Sequence, residues 1–165
     1  MDIDWNGIVR KHGAAVFGVA WRILGNEVDA EDIVQEVFLE AQQSNGSAAV
    51  KNWSAFLRRI ATFRSLDRLR RRKPTVPIDE SLAVGDEQGP EAVAIGNELE
   101  TLLRDSITQL PKQQAAVFCL RYFEDLTYEQ IARSLNISAT AAATALNKAR
   151  GKLKTLLADT EEDPS

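Results

Sequence analysis

Residues 127–150 read TYEQIARSLNISATAAATALNKAR, and their spacing predicts a short helix, a tight turn and a longer helix. Thr127 and Gln130 have the spacing of a capping box, in which the hydroxyl and the amide oxygen each accept a bond from an otherwise orphaned backbone N–H. Ile131, Ala132 and Leu135 supply the apolar face of the first helix. Asn136 tolerates the left-handed turn that ends it, and Ser138 is a good N-cap for the next helix. Ala142, Leu146, Ala149, Leu153 and Leu156 then recur at helical period as a buried stripe. Proteins lay a helix in the major groove of DNA with such a pair, but any small α-helical hairpin shares the pattern. A second signal is needed.

That signal is WSAFLRRIATFRSLDRLRRRK, Trp53 to Lys73. Trp53, Phe56, Leu57, Ile60 and Phe63 recur at helical spacing, and Arg58, Arg59, Arg64, Arg68, Arg70, Arg71, Arg72 and Lys73 crowd the remainder. An amphipathic core helix with a solvated face would carry charge of both signs. Here Lys51 to Lys73 holds nine basic residues and one acidic residue, Asp67, a net +8 in a chain whose total is −4. Charge this one-sided repels itself in the free protein, and a polyanion relieves it. Arginines grip phosphates and aromatic rings stack on unpaired bases, so the mixture suits a partly single-stranded nucleic acid.

The remaining charge is arranged in blocks. Met1 to Val50 has three basic and eight acidic residues, Pro74 to Gln109 one and eight, and Leu110 to Ser165 seven of each. An acidic average therefore does not exclude DNA as a partner. Pro74 to Gly96 carries Pro74, Pro77, Gly85, Gly89 and Pro90 among acids, the composition of an extended linker. The expected fold is all-α, two small helical domains joined by a flexible acidic linker: 1–73, linker 74–97, 98–158, and a disordered acidic tail 159–165. Asp79, Glu80, Asp86, Glu87 and Glu91 are expected to lie over the arginine cluster in the free chain and screen it.

Two helices precede the basic one. Trp5 to Leu24 places Ile8, Val9, Val16, Val19, Ala20 and Ile23 on an apolar face and ends at Gly25-Asn26. Glu27 to Gln43 buries Ala30, Ile33, Val34, Val37, Phe38 and Ala41. Its outer face is acidic: Asp29, Glu31, Asp32, Gln35, Glu36 and Glu40. The macrodipole accounts for Glu27 and Asp29 in the first turn, but not for acids two turns further on. That face could dock a basic surface.

Catalysis finds little support. His12 is the only histidine and Cys119 the only cysteine, so neither a metal cluster nor a cysteine–histidine dyad is expected, and no glycine-rich phosphate loop is present. No cofactor is expected. A run long enough to cross a bilayer and a secretion signal are both missing from the sequence, and one cysteine allows no internal disulfide, which together predict a cytoplasmic protein.

The chain resembles the bacterial sigma factors of the extracytoplasmic-function type, which have regions two and four only. DAEDIVQEVF, Asp29 to Phe38, is similar to the core-polymerase-binding part of region two. FLRRIATFRSLDRLRRR, Phe56 to Arg72, is similar to the part that melts and reads the minus-10 element. ITQLPKQQAAVFCLRYFEDLTYEQIARSLNIS, Ile107 to Ser138, with LNKARGKL beyond it, is similar to region four. The resemblance implies a three-helix bundle for region two and a helix-turn-helix for region four. It also implies core RNA polymerase and promoter DNA as partners, an anti-sigma protein as a candidate third, and no membrane insertion.

Residue by residue, it assigns polymerase docking to Asp29, Glu31, Asp32, Gln35 and Glu36. Minus-10 contacts fall on Trp53, Arg58, Arg59, Phe63, Arg64, Arg68, Arg70, Arg71, Arg72 and Lys73, with the 43–52 loop beside them. Minus-35 contacts fall on Thr127, Ser138, Thr140, Ala143, Thr144, Asn147, Lys148 and Arg150. The chain departs from the family pattern at Phe63, where relatives have a polar residue, and at Ala143 and Ala145, where relatives have basic ones. Thr140, Thr144, Asn147 and Lys148 must then read the groove, with apolar contact to thymine methyls. The rival expectation is a stand-alone helix-turn-helix regulator whose N-terminal half is a protein-interaction module. It leaves the aromatic-basic helix without a purpose.

Overall fold

The computed structural model describes residues 2–44, 49–72 and 90–161, with side chains except at 90–97, 160 and 161. The described residues form seven helices and no strand: α1 (Trp5–Leu24), α2 (Glu27–Gln43), α3 (Trp53–Arg71), α4 (Pro90–Thr108), α5 (Lys112–Tyr122), α6 (Tyr128–Leu135) and α7 (Ala139–Glu161). Short polar side chains start the first three. Asp4 accepts from Gly7 N at 3.1 Å, Asn26 from Asp29 N at 2.9 Å, and Asn52 from Ala55 N at 3.0 Å. Each satisfies one of the N–H groups a helix start leaves orphaned. α1 stops at Gly25, whose φ of +67° is the left-handed conformation, and a Cβ there would lie 2.6 Å from the Arg104 guanidinium. The left-handed conformation favours glycine there, and a Cβ would also displace the Arg104 guanidinium.

α1, α2 and α3 pack as a three-helix bundle around Val19, Ile23, Ile33, Val37, Leu57 and Ala61. Val9 is the exception to the expected apolar face of α1: it is 41% exposed, because only its neighbour Ile8 turns inward. α4 to α7 surround Ile107, Val117, Leu120, Ile131 and Leu146. α4 corrects the expected bounds of the linker, since its first turns, from Pro90, fall inside 74–97. Proline is well suited to that first position, where its missing N–H has no partner to lose. The rest of the expected linker up to residue 89, the screening acids and most of the acidic tail lie outside the described side chains.

The two helical groups share one continuous apolar core, with α3 packed against α4, α5 and α6 as well as against α1 and α2. At about 1.5–3 kcal/mol per fully buried large side chain, a shared core matters to groups this small, which alone retain only a few kcal/mol.

Candidate nucleic-acid interface

The basic residues of α3 fall into three sets by their azimuth. Arg64, Arg68 and Arg72 stand one turn apart on the edge facing α2, and there they meet its acids. Arg64 donates to Glu40 at 2.7 Å and to Glu36 at 3.2 Å. Arg68 donates to Glu36 at 2.9 Å and lies 3.4 Å from Asp29 and 3.5 Å from Asp32. Arg72 donates to Asp29 at 2.8 Å. The expected outward acidic face and the expected free arginines are therefore partners of each other. These side chains are about a third to a half exposed, so each pair contributes only about 0–1 kcal/mol.

The second set faces the C-terminal helices. Arg58 donates to Ser54 Oγ at 2.8 Å and its Nε lies 4.0 Å from Glu124, while Arg70 donates to the Leu110 carbonyl at 2.8 Å. The third set is Arg59 and Arg71, exposed and with no ion pair to another described residue. Lys73 lies outside the described residues. On α2, Glu31 and Gln35 are exposed and take no part in these ion pairs.

The aromatics divide similarly. Trp53 is half-buried and makes edge contacts with Trp5 at 5.5 Å and Phe56 at 5.7 Å between ring centroids, so its first role is to pack the start of α3. Phe63 lines a cleft of about 470 Å³ with Phe56 and Ile60, alongside Arg59, Arg64, Arg68 and Arg71 and the carboxylates of Glu36, Glu40 and Asp67. Aromatic rings beside arginines can stack a base while guanidiniums hold its phosphates.

The helix pair forms as its residues dictate. Gln130 N donates to Thr127 Oγ1 at 3.1 Å and Thr127 N donates to Gln130 Oε1 at 2.9 Å, completing the capping box. Asn136 takes φ +60° and ψ +47°, and Ala141 N donates to Ser138 Oγ at 3.0 Å. Thr127 and Ser138 thus act first as caps. Thr140, Thr144, Asn147, Lys148 and Arg150 are exposed along α7, and Ala143 is half-buried between them. Ala145 is corrected: at 6% exposure it belongs to the core beside Ala142 and Leu146 and presents nothing to a groove.

Sequence reasoning missed the residues that join the two groups. Glu124, between α5 and α6, accepts two bonds from Arg22 at 2.7 and 2.8 Å, and its carboxylate is 5% exposed. Arg104 donates to the Ile23 carbonyl at 2.9 Å, capping α1, and Ser134 Oγ donates to the Ala55 carbonyl at 2.8 Å. Each meets a partner far away in the chain, so no local periodic signal marks it. His12 has its pKa lowered by partial burial and by the nearby Lys11 and Arg58 charges. Cys119 is fully buried, and burial pushes its thiol pKa up, so it is packing rather than a nucleophile. No helix among the described residues is long and apolar enough to cross a membrane.

A bundle bearing an aromatic-basic cleft, followed by a helix-turn-helix, defines the region-two and region-four class of transcription initiation factors. Residues 8–75 match the family model described as Sigma-70 region 2, and residues 100–153 the model described as Sigma-70, region 4. The chain is 31% identical over 156 residues to the ECF RNA polymerase sigma factor SigW of Bacillus subtilis, covering 87% of this chain and 83% of that protein. It is 32% identical over 131 residues to the ferric citrate uptake sigma factor FecI of Escherichia coli, covering 78% and 76%. Its fold is similar to that of CnrH in a complex with the cytosolic domain of CnrY, with a TM-score of 0.62 at 21% identity over 94% of this chain and 88% of that one. The chain belongs to the ECF family of RNA polymerase sigma factors.

Proposed function

We propose that this chain binds core RNA polymerase in the cytoplasm and directs promoter-specific initiation, recognising minus-10 and minus-35 elements and promoting DNA opening. The observation that carries the reading is the pairing of two unlike nucleic-acid surfaces. One is a cleft lined by Phe56, Phe63 and arginines, suited to unpaired bases, the other a helix with an exposed polar face suited to duplex. In this reading Phe63, Arg59 and Arg71 hold the opened strand first, and Thr140, Thr144, Asn147, Lys148 and Arg150 read or grip the upstream duplex. Asp29, Glu31, Asp32, Gln35 and Glu36 dock the polymerase. The functional units are residues 1–73 and the α4–α7 group, the second starting at Pro90.

An RpoE sigma factor of Bartonella quintana forms a complex with the anti-sigma factor NepR. An anti-sigma protein is accordingly a partner class to test here. Run-off transcription with purified core polymerase and this chain decides the main reading: transcripts should start at a defined site only when both are present. A stand-alone regulator would bind duplex without polymerase and support no such initiation.

A further inference from the structure

Asp67 is the one acid in the stretch from Lys51 to Lys73, and it lines the same cleft as Phe63. A carboxylate there repels the phosphates that the surrounding cations attract, and the fold gains little from it. Among the described residues it makes one ion pair, to Lys112 Nζ at 3.9 Å, with Asp67 44% and Lys112 67% exposed. A pair that long and that open to water contributes next to nothing. Glu36 and Glu40, the other carboxylates of the cleft, are held by Arg64 and Arg68, so Asp67 is the acceptor there that no arginine occupies. We propose that Asp67 makes the cleft select guanine in an unpaired strand. The inference rests on the reading of this cleft as the seat of that strand.

Register and chemistry support the choice. Arg59, Phe63, Asp67 and Arg71 follow one another at four-residue spacing, so they form one row along α3, and all four line the cleft. Each step of such a row rises about 6 Å along the helix axis. A base stacked on the Phe63 ring reaches about 3 Å from its centre to its Watson–Crick edge, and a hydrogen bond of about 3 Å then ends at the next residue of the row, Asp67. An ionised carboxylate only accepts. Guanine offers two adjacent donors on that edge, N1–H and the N2 amino group, and the two carboxylate oxygens accept from both at once. Cytosine and adenine offer one amino group beside an acceptor nitrogen, and the N3–H of thymine stands between two carbonyl oxygens that repel a carboxylate. Arg59 and Arg71, at the ends of the row and without an ion pair to another described residue, are left for the phosphates on either side.

The test titrates the full chain with fluorescent single-stranded oligonucleotides of thymine, in which one central base is guanine, cytosine, adenine, hypoxanthine or thymine itself. The guanine strand should bind about tenfold more tightly than the all-thymine strand, the scale of a bidentate base contact. Hypoxanthine lacks the N2 amino group and should lose most of that gain. In D67N the amide keeps size and loses charge, so every strand should bind somewhat more tightly while the guanine preference falls below about twofold. K112Q removes the ion pair and leaves the carboxylate, and it should keep the preference. R59Q/F63L/R71Q should weaken all the strands together. Equal binding of the strands by the unaltered chain, a guanine preference that survives D67N, or one lost equally in K112Q overturns the selection and leaves the cleft reading standing. Strands that bind R59Q/F63L/R71Q as tightly as the unaltered chain defeat the cleft reading and with it the selection.

Discussion

Ala143 and Ala145 are two residues apart on one helix and answer to different neighbours. Ala145 is in the core, so an arginine there must either bury its charge or push α7 outward, and A145R should lose about 1–3 kcal/mol in urea unfolding. Ala143 is half-buried on the exposed side, and A143R should fold normally and bind duplex DNA more tightly in a gel-shift titration. Equal stability of the two variants would contradict this placement. Cys119 gives a second test at the same scale. Burial favours the neutral thiol, so the folded pKa lies above the unfolded one. The associated stability is then complete below the thiol's ordinary pKa and declines as pH rises through it. At pH 8 a thiol reagent should modify Cys119 only at the rate the protein opens, slowing when the fold is stabilised. Modification at the rate of a free thiol would place Cys119 outside the core.

At the scale of elements, the join between α6 and α7 sets the angle at which the second helix can enter a groove. Asn136 makes that join in the left-handed region, with its N–H bonded to the Ala132 carbonyl. Glycine adopts this conformation freely, while a β-branched residue pays about 1–2 kcal/mol for it. N136G should therefore hold its urea midpoint within a few tenths of a molar, whereas N136V should lose about 1–2 kcal/mol and weaken duplex binding as the helices splay. A stable N136V would mean that the turn is set by packing on either side of it rather than by Asn136.

At the scale of the molecule, the compact arrangement and the proposed task are in conflict. A chain of this length packed as one body has a radius of gyration of about 15 Å. Minus-10 and minus-35 elements lie about 25 base pairs apart, about 85 Å of duplex at about 3.4 Å per pair. The two helical groups must separate to touch both. Their junction is polar where it is most specific: Glu124 with Arg22 and Arg58, Arg70 on the Leu110 carbonyl, Ser134 on the Ala55 carbonyl. Arg58 Nε, at this junction, is buried with no hydrogen-bond partner among the described residues, a cost that opening to water relieves. E124Q should therefore favour the open form, read as a longer distance between fluorophores on α2 and α7 in the free chain. An unchanged distance would show that apolar packing alone holds the groups together.

The helices, their caps and the uneven charge were legible in the sequence because each depends on neighbours within a turn or two. Thr127 and Ser138 cap where their type and spacing predict, and α1 and α2 run between the expected bounds. The start of α4 at Pro90 was hidden by a proline and acids that read equally well as linker. What only the tertiary structure decided is which partner each charged side chain meets. The nine basic residues of Lys51 to Lys73 read as one cluster, yet those described divide among α2 carboxylates, the C-terminal helices and solvent. That division follows from the azimuth at which α3 packs between two layers, and the placement of Ala145 and of Glu124 follows from the same long-range docking. Azimuth is set by the sum of many weak apolar contacts between residues far apart in the chain. No local pattern carries it.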